Sequence, residues 1–343
     1  MFVRVDRVKH GSRRNVRLLL QIFIMVAIMG GLLWYVGIDS FLSVLAHARV
    51  EYLVFAFSCY FMINILFTVR LMRVLGREGV RASFGRTLLG QYAGMLTSDV
   101  TPGKSGYVLT PLYLRDQGIS TSTSLSCVLG IQSVEFLVKV LGGVMAIVFL
   151  VGVASLSMQD LVVAFLGIGL MLTGSVLLAL MVWSDRMIGF FHRVASSKFV
   201  GRLTGGLIGK VEEYRDGAKK TRRTVPEIAL VTVACWVLKG FEWFFLGSAL
   251  GITQVGWLGF FLLHPLVTAL GFVPLTPSGI GFQEGAITGV FLLLGVPLSV
   301  GSAFAILARV MLIVQDLVGI PQIAKSTSAL VISQETAIKP LVE

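Results

Sequence analysis

Six apolar stretches, at 18–37, 52–70, 134–153, 160–183, 226–250 and 299–322, dominate this chain of 343 residues. Each holds about the 20 apolar residues that a helix needs to cross a bilayer. A spanning segment meets no water in the hydrocarbon, so it must satisfy its own backbone hydrogen bonds, as a helix does. The composition agrees: 55% of residues are hydrophobic and 14% charged, against roughly 25% charged in soluble domains. The expected fold is an all-α polytopic membrane protein with one transmembrane domain over 18–322. It lies between a basic tail at 1–17 and a tail at 323–343, with no room for a soluble catalytic domain.

The net charge of +11 raises nucleic-acid binding, and the placement of the charges argues against it. Arg4, Arg7, Lys9, Arg13, Arg14 and Arg17 precede the first span, and a second basic set from Arg70 to Arg86 follows the next. A third lies in the polar linker 184–225. With Lys104, Arg115, Lys325 and Lys339 these hold 25 of the 29 Lys and Arg. All fall on one side if both termini are cytoplasmic, which is the positive-inside bias of a cell-membrane protein. Arg49 alone occupies a loop on the other side. Leu18–Val36 carries no small-residue cleavage site, so it reads as an anchor rather than a removable signal. Phe199, Leu203, Leu207 and Val211 recur at helical spacing in the linker. They predict either a basic amphipathic helix on an anionic lipid surface or a solvated loop packed on the domain. Asp39–Val50 reads as a short connector at the opposite interface.

Two apolar segments refuse to be spans. Phe84–Leu96 is too short and runs into Thr101-Pro102-Gly103-Lys104-Ser105-Gly106 before Tyr107–Leu114. Trp257–Val273 runs into Thr276-Pro277-Ser278-Gly279-Ile280-Gly281 before Phe282–Leu294. Each reads as a re-entrant hairpin, and the topology count brings the two in from opposite leaflets. The unit span–hairpin–span then occurs twice, at about 52–153 and 226–322, in inverted orientation. Broken helices at matching places in two inverted repeats mark the substrate site of many transporters. Thr101 and Thr276 are N-cap candidates, with Pro102 and Pro277 at the first helical position. The positive ends of the two returning half-helices would point at the bilayer centre and offer N–H groups to an anion, for which a lipid phosphate is the obvious choice. Gly103, Gly106, Gly279 and Gly281 permit close backbone approach, and Lys104 adds a full charge. The bland alternative is a pair of tight turns that only pack hairpins.

Charged residues inside spans are costly and face a partner or a cavity. Here they are Glu135, Lys139, Lys239, Glu242, Glu284, Arg309 and Asp316. Glu135–Lys139 and Lys239–Glu242 have the spacing of local ion pairs. Glu284 and Arg309 lack a local partner, so they are candidates to meet across helices or to bind opposite groups of a ligand. Gly103-Lys104-Ser105 resembles the end of a Walker A loop, but Asp99 stands where that motif needs Gly, so nucleotide binding is rejected. Cys59, Cys127 and Cys235 read as small buried hydrophobes, and His10, His47, His192 and His264 show no ligand spacing. No metal, cofactor or catalytic residue is expected. A membrane-embedded transferase would need paired carboxylates or a His near the breaks. Asp99 and Glu284 lie near them, but no tight acidic pair is visible in the sequence.

The segment from Pro274 to Glu284, then Leu294-Gly-Val-Pro297 and Arg309, resembles the signature of the lysylphosphatidylglycerol synthase transmembrane-domain family, also described as flippase-like. Pro102 to Gly106, followed by Gly118-Ile-Ser120, is similar to that family's first motif. Ser278 stands where the family usually has Gly, and Tyr107 where it often has an acidic residue. The resemblance implies movement of a phosphate-containing lipid (a phospholipid, an aminoacyl-phospholipid or a polyprenyl-phosphate-linked lipid) between leaflets. It implies a stand-alone member without the soluble aminoacyl-transfer domain, and a substrate site at the matching motif residues and Arg309. The alternatives are a small-solute secondary transporter on the same plan and an accessory subunit of a lipid-modifying transferase.

Overall fold

The spans become helices because little interrupts them: long apolar runs with Ser, Thr and Gly, in which Pro stands only near an end, at Pro226 and Pro321. A computed structural model describes residues 38–101, 103–154, 157–184, 186, 214, 217, 220–271 and 278–327. The span expected at 18–37, the amphipathic stripe 199–211, and Pro102, Thr276 and Pro277 lie outside the described residues. Every element among the described residues is helical. Five helices among the described residues are long and apolar enough to cross a membrane: Val50–Arg77, Thr121–Val153, Leu161–Trp183, Arg222–Ala249 and Leu298–Thr327. Their outward faces carry rows of exposed Val, Leu and Phe, among them Val148, Phe165, Leu166 and Leu230. This is the surface a hydrocarbon solvent requires.

In chain order the helices are α1 (Ile38–Ala46), α2 (Val50–Arg77), α3 (Phe84–Asp99), α4 (Thr110–Tyr113), α5 (Thr121–Val153), α6 (Met158–Trp183), α7 (Val225–Ala249), α8 (Trp257–Gly271), α9 (Phe282–Leu293) and α10 (Leu298–Asp316). Two boundaries differ from the sequence expectation. α2 runs on to Arg77 rather than stopping near 70, so Arg70 is a buried helix residue and not part of a loop. α5 begins at Thr121, where the Ser120 side chain accepts from the Ser122 N–H, not at 134. In α5 the added serines Ser124, Ser126 and Ser133 face the protein interior, whereas in the α2 extension Arg70 is buried and Arg73 and Arg77 are exposed.

The first break folds the chain back on itself. A methyl group on Gly106 would collide with the Thr97 carbonyl, one on Gly94 with the Thr110 hydroxyl, and one on Gly90 would lie 2.9 Å from Leu114. That ladder of pairs is antiparallel, and it exists because three glycines let the returning strand lie directly on α3. The return is not the half-helix expected over Tyr107–Leu114. It is a 3-10 turn at Ser105–Leu109 followed by the single turn of α4. The second break also makes a hairpin: Phe260, near the start of α8, meets Phe291, near the end of α9, with ring centroids 5.8 Å apart.

Pro265 sits inside α8. Proline has no N–H, so the carbonyl four residues earlier loses its helical donor. That carbonyl, Phe261 O, instead accepts from the Trp236 indole N–H at 2.7 Å, and the two rings stack at 4.4 Å. Gly142 of α5 makes room for this corner; a methyl group there would lie 2.7 Å from the Pro265 ring.

Span α2 packs on span α7. The long helix that follows each hairpin packs on the other hairpin: α5 against α8, and α10 with its 3-10 continuation Leu317–Gly319 against α3. This exchange brings the two breaks together at the centre of the bundle, where the Ser278 N–H donates to the Thr101 carbonyl at 2.8 Å.

Candidate substrate-binding cavity

The meeting of the breaks is built from strained turns. Lys104 and Ser278 hold left-handed backbone at φ 55° and 50°, beside Gly103, Gly279 and Gly281 at 59°, 68° and 87°. A side chain in that region costs about 1–2 kcal/mol, which explains why the motif that Ser278 interrupts favours glycine there. Thr101 is not an N-cap. Its hydroxyl donates back to Thr97 O at 3.0 Å and accepts from the Gly106 N–H at 2.6 Å, so it staples the turn. Lys104 occupies the N-cap position of the short 3-10 return.

At the second break Gly281, not Thr276, caps the returning helix. The Glu284 carboxylate reaches back and accepts from the Gly281 N–H at 2.7 Å, the half of a capping box that needs no side chain on the N-cap residue. The other oxygen of Glu284 takes Arg309 Nε at 2.6 Å. Arg309 also donates to Ser278 Oγ at 3.1 Å and Gln283 Oε1 at 3.2 Å. Glu284 and Arg309 are 1% and 5% exposed. The pair expected to meet across helices does meet, and in doing so it fills the anion site that the helix end would otherwise offer. The positive end of α9 is spent on Glu284.

Further charges line the space beneath. Glu135 of α5 accepts from Arg70 Nη2 and from Lys139, each at 2.8 Å. Arg70 Nη1 donates to Thr232 at 2.7 Å. The local Lys139 partner was legible in the spacing; Arg70, 65 residues away, was not. Lys239 binds both oxygens of Glu242 at 2.7 Å, with its ammonium 4.6 Å from the centre of the Tyr60 ring. The Tyr60 hydroxyl donates to the Asp316 carboxyl at 3.0 and 3.1 Å. Asp316 also interacts electrostatically with Asp99, the last residue of α3. An acidic pair therefore does stand at the first break. The sequence concealed it because its members are 217 positions apart in the numbering.

These side chains surround a cavity of about 130 Å³, whose polar wall includes Asp99, Lys104, Lys239, Glu242, Glu284 and Arg309. Phe67, Met95, Val138, Trp236 and Leu312 supply part of its apolar wall. A second chamber of about 230 Å³ lies behind the first break and shares Phe67, Met95, Lys104, Glu135 and Lys139 with it. Gly103 faces the second chamber, while Gly106 is buried in the hairpin contact. Cys127 and Cys235 are buried free thiols, and Cys59 is half-buried. Among the described residues no group of three or more His, Cys, Asp or Glu could hold a metal ion.

The sequence that builds this cavity matches that of known proteins. Residues 22–319 match the family described as the lysylphosphatidylglycerol synthase TM region. The chain belongs to that family. The UPF0104 membrane protein PH1989 of Pyrococcus horikoshii is 21% identical over 308 residues, covering 84% of this chain and 91% of that protein. The recognition made on the second break and Arg309 thus extends over nearly the whole membrane domain.

Outside the bundle, Asp116 follows the first hairpin and binds Lys325 at 2.8 Å. Partial burial pushes its carboxyl up, but the hydrogen bonds from Lys325 and Gln322 outweigh that and hold it below the ordinary carboxylate range.

Proposed function

We propose that this protein moves a phosphate-containing lipid between the leaflets of the cell membrane, through the cavity between its two hairpins. One observation carries the reading: the tips of two broken hairpins, held together by the Ser278–Thr101 hydrogen bond, roof a charged cavity whose remaining wall is apolar. A headgroup suits the charged part and acyl chains suit the flanks. Family membership supports the membrane setting. On this reading the protein is a transporter and not an enzyme, its hairpins are re-entrant from opposite leaflets, its repeats are inverted, and both termini are cytoplasmic.

The test is transport. Liposomes containing the purified protein and a fluorescent phosphatidylglycerol are treated with a membrane-impermeant quencher. More than half of the fluorescence should become quenchable, at a rate that rises with protein content. A rate equal to that of protein-free liposomes for every phosphate lipid tried sinks the proposal.

The acidic side chains that Asp99 and Asp316 bring to the first break favour a proton as the coupling ion, since carboxyl groups inside a membrane bundle are the usual stations of proton relays. Asp99 ends α3 and Asp316 ends α10, so parting the first hairpin from α10 separates the two side chains. Transport should then respond to an imposed pH gradient, and Asp99→Asn should abolish the response. An unchanged response in that variant removes the coupling role.

A further inference from the structure

A lipid phosphate needs a seat, and the two helix ends do not provide it. The end at Gly281 is taken by Glu284, and Arg309 is neutralised by the same carboxylate. The first return begins as a 3-10 turn, whose N-terminus is a poor dipole end. The unspent donors lie elsewhere.

Arg70 and Gln91 are 2% and 0% exposed. The Arg70 Nε–H and the Gln91 amide nitrogen each have no hydrogen-bond partner. A buried donor left unmet costs about 1–3 kcal/mol, more on a charged group. Both residues line the chamber behind the first hairpin, with Lys104, Ser105, Gln132 and Lys139. Glu135 is the one carboxylate on that chamber's wall, and it already accepts from both Arg70 and Lys139. Two cations share one anion there, so the triad keeps an excess positive charge in a desolvated place. Gln91 is fixed by the Tyr107 hydroxyl, which donates to its carbonyl oxygen at 3.1 Å, leaving the amide nitrogen to its other side.

We propose that this chamber seats a phosphate oxyanion, which accepts from Arg70 Nε and Gln91 Nε2 and is balanced by the Arg70–Glu135–Lys139 excess charge. A guanidinium and a neighbouring amide present fixed N–H groups, which suits tetrahedral oxygens. The walls shared with the first cavity let the remainder of a ligand extend beneath the hairpin tips. The phosphate could belong to a lipid headgroup or be inorganic phosphate; the lipid source rests on the translocase reading above, whereas the seat itself does not.

The experiment is a binding measurement on the purified full chain, by native mass spectrometry and by competition. The probes are phosphatidylglycerol, diacylglycerol with the same chains, and inorganic phosphate. Gln91→Glu is isosteric, keeps the acceptor for Tyr107, and puts a carboxylate where the donor was. It should weaken binding of both phosphate probes about ten- to a hundredfold, the range of one charge-assisted hydrogen bond, and leave diacylglycerol unchanged. Lys139→Gln, at a partly exposed position, should weaken the same probes and serves if the first variant does not fold. Thermal unfolding of each variant confirms that it is intact. Inorganic phosphate that binds wild type and is lost in the variants, without phosphatidylglycerol binding, upholds the seat and removes the lipid reading. Phosphatidylglycerol bound equally by wild type and both variants overturns the seat and leaves the translocase reading standing.

Discussion

At Arg309 one side chain ties three parts of the second break: the Glu284 carboxylate, the Ser278 hydroxyl and the Gln283 amide. A buried pair of this kind contributes little over an apolar replacement, but losing one partner strands the other charge. Arg309→Met should therefore cost about 3–5 kcal/mol, while the double change Arg309→Met with Glu284→Leu should cost less than the single one. Thermal unfolding of the detergent-purified variants reads this directly. Equal or additive losses would mean that the two side chains act separately. Trp236 poses a smaller residue-scale question. Its N–H replaces the backbone donor that Pro265 denies to Phe261 O. Trp236→Phe keeps an aromatic ring on Phe261 and removes the donor, so it should destabilise by about 1–3 kcal/mol, the cost of a carbonyl stranded in a dry interior. A variant as stable as wild type would show that the carbonyl finds another donor.

Among elements, the first hairpin depends on its glycines more than on its helix propensity. Gly94→Val would drive a branched side chain into Thr110. It should open the hairpin, which faster protease cleavage near 101–110 would reveal; wild-type resistance would contradict the antiparallel packing. The hairpin's exit is tethered by Asp116 to Lys325. Because the Asp116 carboxyl sits below its ordinary range when folded, its contribution is present above the unfolded-state value and lost as pH falls through the lower folded value. Asp116→Asn should flatten the acid side of the pH–stability curve below about pH 4, while an identical curve would assign the acid loss to other groups. These elements also mark how far the sequence was legible. Hydropathy found the five described spans because lipid contact demands apolar residues. It misplaced the start of α5, since Ser124, Ser126 and Ser133 face inward, and hydropathy does not distinguish a polar residue in water from one buried against a partner. Pro and Gly marked both breaks because they are clustered there, and several poor helix formers in a row end a helix that tolerates one. The partners Arg70–Glu135 and Asp99–Asp316 were hidden because charge pairing over such separations is fixed only by packing.

For the whole molecule the deciding contact is the one between the breaks. The Ser278 N–H reaches the Thr101 carbonyl, so the two hairpin tips close the cavity on each other. If the protein alternates access, the tips must part in every cycle, since no headgroup passes a joined roof. A backbone hydrogen bond of this kind brings two Cα atoms to about 5 Å, inside the range a disulfide spans. With Cys59, Cys127 and Cys235 first replaced by Ala or Ser, Thr101→Cys with Ser278→Cys should cross-link on mild oxidation. Lipid movement in liposomes should then stop, and a reducing agent should restore it to the level of the unoxidised variant. The single cysteines should show no redox effect. Full transport by the cross-linked protein would mean that the tips stay joined throughout, and that lipid instead slides past a static bundle along the Arg70–Lys139 chamber.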